Sequence, residues 1–156
     1  MKDRTITILA SVGFVLMIGI TAYAALPSAD ITSANGPKVT IYKSPNCGCC
    51  VRHGAYLKAN GFDVDVEVID DMSGIKDKYG IPQNMQSCHT TVMGDYFVEG
   101  HVPVEAFRKL LEEQPDIDGI ALPEMPSGSP GMPGPKLELF EIFRLKNRQA
   151  EPYITL

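Results

Sequence analysis

The sequence predicts an α/β fold with the element order β-α-β-α-β-β-α, and three observations carry that prediction. Apolar and polar residues alternate in two short segments, "KVTIYKS" and "FDVDVEVID". Each is joined to a helix candidate closed by a stop signal, Asn60-Gly61 after the first and Gly80 after the second. A two-strand segment around Gly94-Asp95 then runs into an amphipathic stretch that opens on Pro103.

Taken in order, residues 38–44 set Val39 and Ile41 against polar neighbours and are bounded by Pro45, which makes a short strand. From Cys50, the residues Val51, Ala55 and Leu57 recur at helical spacing as far as Asn60-Gly61. Residues 62–70 alternate Phe62, Val64, Val66 and Val68 with acids, the pattern of a half-buried strand. "MSGIKDKYG" (72–80) is a short helix, and "TTVMGDYFVEGHV" (90–102) is a hairpin. "PVEAFRKLLEEQP" (103–115) repeats Val104, Phe107, Leu110 and Leu111, with Pro103 at the first helical position. A Pro/Gly/Met-rich C-terminal loop follows, "GIALPEMPSGSPGMPGP", and "LELFEIFRLK" (137–146) is an extra C-terminal strand. The domain is therefore expected over 38–146, with 147–156 as a peripheral tail.

A chain of 156 residues suits one such domain with accessory segments. The formal net charge is −5 and no basic run occurs, which removes the electrostatic footprint of a nucleic-acid binder. The N-terminus stands apart from the fold. Lys2 and Arg4 precede a stretch without charge up to Asp30, and Ala22-Tyr23-Ala24 supplies small residues at its end. This is the form of an export signal (1–24) cleaved after Ala24, or of a membrane anchor where cleavage does not occur. Residues 25–37 read as a linker, and in both cases the domain is exported.

Export bears on the four cysteines, Cys47, Cys49, Cys50 and Cys88. Four in an exported chain are ordinarily read as two disulfides. Adjacent Cys49 and Cys50 bridge each other only with strained geometry, so the cluster is not simply a set of staples. A strand leading into a cysteine-bearing loop and helix is the thioredoxin-like plan, and Cys47 and Cys50 have its Cys-x-x-Cys spacing. Unpaired N–H groups at a helix start favour thiolate over thiol. Thiolate is at once a nucleophile and a metal ligand, and both chemistries stay open.

Cys49 tilts the balance. A third thiolate beside the pair would compete as a resolving group in disulfide exchange. Soft sulfur ligands instead select Cu(I), zinc or iron–sulfur clusters. Cys88 precedes the strand "HTTVMG", where thioredoxin-like enzymes carry a cis-proline against the cysteine pair, so in that register a fourth sulfur faces the other three. His89 adjoins Cys88, although successive strand residues point to opposite faces and only one of the two is expected to aim inward. His101, in "EGHVP", is a further candidate ligand. His53, one turn beyond Cys50, either overhangs the cluster or lies on a solvated helix face. Met125 and Met132, in a stretch where no regular core is expected, are candidate thioether donors to Cu(I).

"YKSPNCGCC", "SCHTTVMGDYFVEGHVP" and "GIALPEMPSGSPGMPG" together make the chain resemble the CopG-type family of exported copper-resistance proteins, which is unrelated to the DNA-binding repressor of the same name. The resemblance covers about residues 38 to 145. It implies a thioredoxin-like periplasmic domain that binds copper through the cysteine cluster, with a redox role between Cu(I) and Cu(II). The close spacing of Cys47, Cys49 and Cys50 by itself suits several Cu(I) ions sharing sulfurs. Cys47, Cys49, Cys50 and Cys88 match the family cysteines, while His89, His101 and the "MPSGSPGM" stretch fall in matching motifs. Copper ions and other periplasmic copper-handling proteins are the implied partners. The competing expectation is a thiol–disulfide oxidoreductase that uses Cys47 and Cys50.

Overall fold

β1 (Lys38–Lys43) is the strand on which the site is organised, because its last residue leads straight into the cysteine loop. A computed structural model describes residues 36–156; the expected export signal or anchor, and all of the linker but its last two residues, lie outside the described residues. Among the described residues no helix is long and apolar enough to cross a membrane.

After β1 come α1 (Gly48–Ala59), β2 (Asp63–Val68), α2 (Met72–Lys78), a 3-10 turn (Gln83–Met85), β3 (His89–Met93), β4 (Tyr96–Glu99) and α3 (Val104–Glu113). The element order expected over 38–115 is the one that forms. Beyond it the chain adds β5 (Gly119–Ala121), β6 (Glu141–Lys146) and β7 (Gln149–Thr155), so one extra strand was expected and three are found. β6 starts four residues later than expected, and residues 149–155, read as tail, pair along its length. Asn147 and Arg148 both hold positive φ (50° and 66°), the twist a two-residue hairpin turn needs. Pro152 is accommodated because β7 is an edge strand, opposite Phe143 where the register shifts.

Among the described residues seven strands form one sheet in the order β2-β1-β3-β4-β5-β6-β7. β1 runs parallel to β2 and antiparallel to β3, which is antiparallel to β4. Strand alternation sorts the side chains into two cores. Val98, Ile120 and Ile142 join Leu57 of α1 and Phe107 and Leu110 of α3 on one face. Phe97, Ala121 and Leu145 join Ile81, Tyr79 and Met85 on the other. The alternation read in β2 carries burial only as far as Val64, because β2 is the opposite edge; Val66 and Val68 are 48% and 58% exposed. α3 follows Pro103, which offers no side-chain cap, and the Tyr56 hydroxyl of α1 accepts from Val104 N–H at 2.9 Å instead.

This topology sets the site. The antiparallel register pairs Lys43 with His89 and Thr90 with Glu99. The end of β1, the start of β3 and the end of β4 therefore lie at one end of the sheet. Three chain segments, each carrying candidate ligands, leave or enter the sheet there: 44–50, 87–89 and 100–101.

Candidate metal centre

Cys47 caps α1. Its backbone is extended (φ −80°, ψ 92°), and its sulfur takes Cys50 N–H at 3.3 Å, satisfying one of the N–H groups that a helix start leaves unpaired. The loop before it is tied by buried Lys43, whose ammonium donates to Ser44 O (2.9 Å) and Pro45 O (3.3 Å). No acidic residue sits in the first turn of α1, so nothing there offsets the favourable helix-start potential for thiolate.

The four sulfurs meet. Cys47 and Cys50 form a disulfide with Cα atoms 5.4 Å apart, while Cys49 and Cys88 are free. Cys49 Sγ lies 3.4 Å from Cys47 Sγ and 4.0 Å from Cys88 Sγ. Cys50 Sγ is 3.6 Å from Cys88 Sγ. Burial, and secondarily the nearby Cys49, push the Cys88 thiol up to about 12, so without a cation it stays protonated.

Both histidines of the strand segment reach Cys88. His89 Nδ1 lies 3.3 Å and His101 Nε2 3.0 Å from its sulfur. The expectation that only Cys88 or His89 would aim inward is corrected: β3 begins at His89, so Cys88 sits on the preceding bend, outside the strict alternation of the strand. His53 is buried, not on a solvated helix face. Its Nδ1 is 2.9 Å from His89 Nε2, and its Nε2 is 3.1 Å from Val102 O.

The network fixes the proton on every ring. Burial lowers the pKa of all three histidines, His53 to about 4, so each imidazole is neutral and has one donor and one acceptor nitrogen. Val102 O only accepts, so His53 Nε2 donates to it and His53 Nδ1 accepts from His89 Nε2–H. His89 Nδ1 is left with a lone pair facing Cys88. Likewise His101 Nδ1 donates to Pro130 O at 2.7 Å, and His101 Nε2 turns its lone pair to the same sulfur. Two lone pairs converge on one thiol with a single proton, which can serve only one of them. A cation among them would satisfy both.

The donor set fits a soft metal. Among the described residues, two groups of side chains hold their donor atoms within 4.8 Å of one another, Cys47–Cys49–Cys50–Cys88 and Cys88–His89–His101, and Cys88 belongs to both. Neither contains a carboxylate, and thiolate with imidazole is the ligand chemistry of Cu(I) and zinc rather than of calcium or magnesium.

The Pro/Gly/Met-rich loop lies over this site. Arg52 Nε donates to Gly131 O at 2.8 Å, and a side chain at Gly131 would meet His53 N at 2.7 Å and Cys49 O at 2.9 Å. Met132, half-buried, follows Gly131 directly. Met125, seven residues earlier, is 37% exposed. Sequence reasoning thus found the six clustered ligand candidates and left His53 undecided. It missed the buried Lys76–Glu99 ion pair, whose carboxylate takes Ser87 N–H at 2.6 Å immediately before Cys88.

Two solved structures, "Copper resistance protein copG- Form 2" and "Copper resistance protein copG- Form 1", match the chain at 40% identity and a TM-score of 0.72, over 78% of this chain and 99% and 98% of theirs. The chain belongs to the CopG family. Its CopG-type fold is accordingly a mixed α/β sheet, as the topology above already required. The family model described as "Protein of unknown function, DUF411" matches residues 85–132, a stretch that holds Cys88, His89, His101, Met125 and Met132. Cys47, Cys49 and Cys50 fall outside that match. No curated protein matches this CopG-family sequence.

Proposed function

We propose that this chain binds copper as Cu(I) through Cys47, Cys49, Cys50 and Cys88 together with His89 and His101, as part of copper resistance outside the cytoplasm. The observation that carries this reading is the convergence of the His89 Nδ1 and His101 Nε2 lone pairs on Cys88, itself within 4.0 Å of two other sulfurs. The solved relatives are named copper resistance proteins, which supports copper over other soft metals as the cargo. Holding Cu(I) through all four sulfurs requires the Cys47–Cys50 disulfide to be reduced, to thiolates that the start of α1 stabilises. Sulfurs this close suit several ions sharing bridging thiolates better than one tetrahedral ion. Re-formation of that disulfide from two thiolates would release two electrons and reduce two Cu(II) to two Cu(I). Oxidation of two Cu(I) to two Cu(II) would return the pair to thiolates, which would couple the site to Cu(I)/Cu(II) conversion. Met132, next to the loop's contact with α1, is proposed as an accessory thioether; Met125 is proposed as a more remote point of capture. The thioredoxin-like plan is supported by the β2-β1-β3-β4 order with β3 antiparallel to its neighbours. Export through residues 1–24 and exchange with other periplasmic copper-handling proteins complete the proposal.

The test is anaerobic titration of the reduced protein with Cu(I), read by stoichiometry and by copper K-edge absorption. The expected result is at least one tightly held ion with mixed sulfur and nitrogen ligation. Weak, substoichiometric binding unchanged by Cys49→Ser and Cys88→Ser would sink the proposal.

The Cys47–Cys50 disulfide at a helix start favours a second reading, a thiol–disulfide oxidoreductase. That protein would reduce a model disulfide without metal, lose the activity on Cys47→Ser, and keep it on Cys88→Ser.

A further inference from the structure

Glu99 is a carboxylate with no exposure at the end of β4, a costly place for a charge. Both of its oxygens are committed. Oε1 takes Ser87 N–H at 2.6 Å and the Lys76 ammonium of α2, and Oε2 takes the Thr90 hydroxyl at 2.6 Å. Ser87 and Thr90 bracket Cys88 and His89, so one side chain grips the chain on both sides of the two ligand candidates. The carboxylate itself stands two residues before His101.

The Ser87 hydroxyl is buried without a hydrogen-bond partner. Gly100 lets the adjacent turn pack this close: its φ is +84°, and a Cβ there would meet Leu122 O at 2.5 Å and Ser87 Cβ at 2.8 Å. Buried ion pairs contribute little net stability compared with apolar pairs of the same volume, so stability alone does not account for Lys76 and Glu99. Burial pushes the Glu99 carboxyl up, and the Lys76 ammonium, the Thr90 hydroxyl and the Ser87 N–H oppose that push.

We propose that Glu99, paired with Lys76, is a positioning residue that sets Cys88 and His89 for metal capture. The proposal rests on the copper reading for its purpose but not for its geometry. It predicts that the clamp, rather than the charge, is what the site needs.

Two double variants separate these. K76M/E99Q keeps an oxygen for Ser87 N–H and an amide for Thr90 without any charge, while K76M/E99L keeps volume and removes the clamp. The first readout is metal-free: the rate at which a maleimide alkylates Cys88 in a Cys49→Ser background with the Cys47–Cys50 disulfide intact. K76M/E99L is expected to react about tenfold faster than the parent and K76M/E99Q to stay near it, in line with the usual weight of groups that orient ligands. The second readout is Cu(I) affinity with all four cysteines present, expected to fall about tenfold in K76M/E99L only. Equal alkylation rates in the two double variants would overturn the proposal. Different rates in a protein that binds no Cu(I) would instead overturn the copper reading and leave the positioning role standing. Should K76M/E99L not fold, Thr90→Val removes one contact isosterically; faster alkylation supports the clamp and an unchanged rate overturns it.

Discussion

His89 Nε2 lies 2.9 Å from His53 Nδ1, and this contact ties the first strand residue after Cys88 to the middle of the cysteine helix. It also decides which way the other nitrogen of His89 faces. With His53 anchored on Val102 O, His89 has no choice but to present Nδ1 as a lone pair to Cys88.

His53 is therefore expected to matter without touching metal. His53→Leu strands the His89 N–H in a buried setting, a loss of about 1–3 kcal/mol of stability. Cu(I) affinity is expected to fall about 10- to 100-fold, the usual weight of a partner that orients a ligand. Urea unfolding and a chelator-competition titration measure the two effects. Unchanged affinity in His53→Leu would show that His89 is not oriented this way.

The metal-free protein is expected to weaken in acid. Burial lowers the His53 pKa from 6.5 to about 4, so between those values the unfolded chain takes up a proton that the folded chain refuses. Stability present above the upper value is lost as pH falls through the window, by roughly 3 kcal/mol for this one group. His89, pushed the same way by burial, adds to the loss. Urea midpoints across the window check it, and His53→Phe is expected to flatten the profile.

Copper affinity has the opposite driver and the same sign. The Cys88 thiol, pushed up to about 12, must release its proton to ligate. Each pH unit gained below that value raises the available thiolate, and with it the affinity, about tenfold for this proton. Cys88→Ser is expected to reduce the slope of log affinity against pH by about one. A competition titration at three pH values, with the chelator's own protonation accounted for, reads the slope; a flat profile contradicts ligation by Cys88.

Gly131 is the point where the Pro/Gly/Met-rich loop touches the helix start. Its φ of +85° and the 2.7 Å approach of His53 N leave no room for a methyl group. Gly131→Ala is expected to cost about 1–3 kcal/mol through backbone strain alone. It should also lift the loop, seen as faster hydrogen exchange over 126–133. Retention of wild-type stability and exchange would mean that the loop's seat on α1 is not specific.

Much of this was legible in the residues themselves. Asn60-Gly61, the Gly94-Asp95 turn and the Val104–Leu110 stripe marked their elements because caps, turns and helical periodicity are local signals. β5 escaped notice because Gly119–Ala121 is three residues long, buried and without alternation, and opens a Pro/Gly run. β7 escaped because its Pro152 is tolerated only at an edge, and edges are a property of the whole sheet. At the site, cysteine spacing was a local signal too. Burial of His53 was not, since a lone histidine on a helix does not say what will cover it. Lys76 and Glu99 lie 23 residues apart, and no local pattern announces that two charges will pair in the interior.

The meeting of three strand ends at one end of the sheet has a thermodynamic consequence. Sulfurs and imidazoles from 47–50, 88–89 and 101 share a point in space only while the β1–β3–β4 ladder is intact. An ion held by that point binds the folded chain far better than the unfolded one, so occupancy and folding are linked quantities. At a thousandfold excess of ion over its dissociation constant, that linkage adds about 4 kcal/mol to the fold. The melting temperature of such a protein doubles as a gauge of how much metal surrounds it.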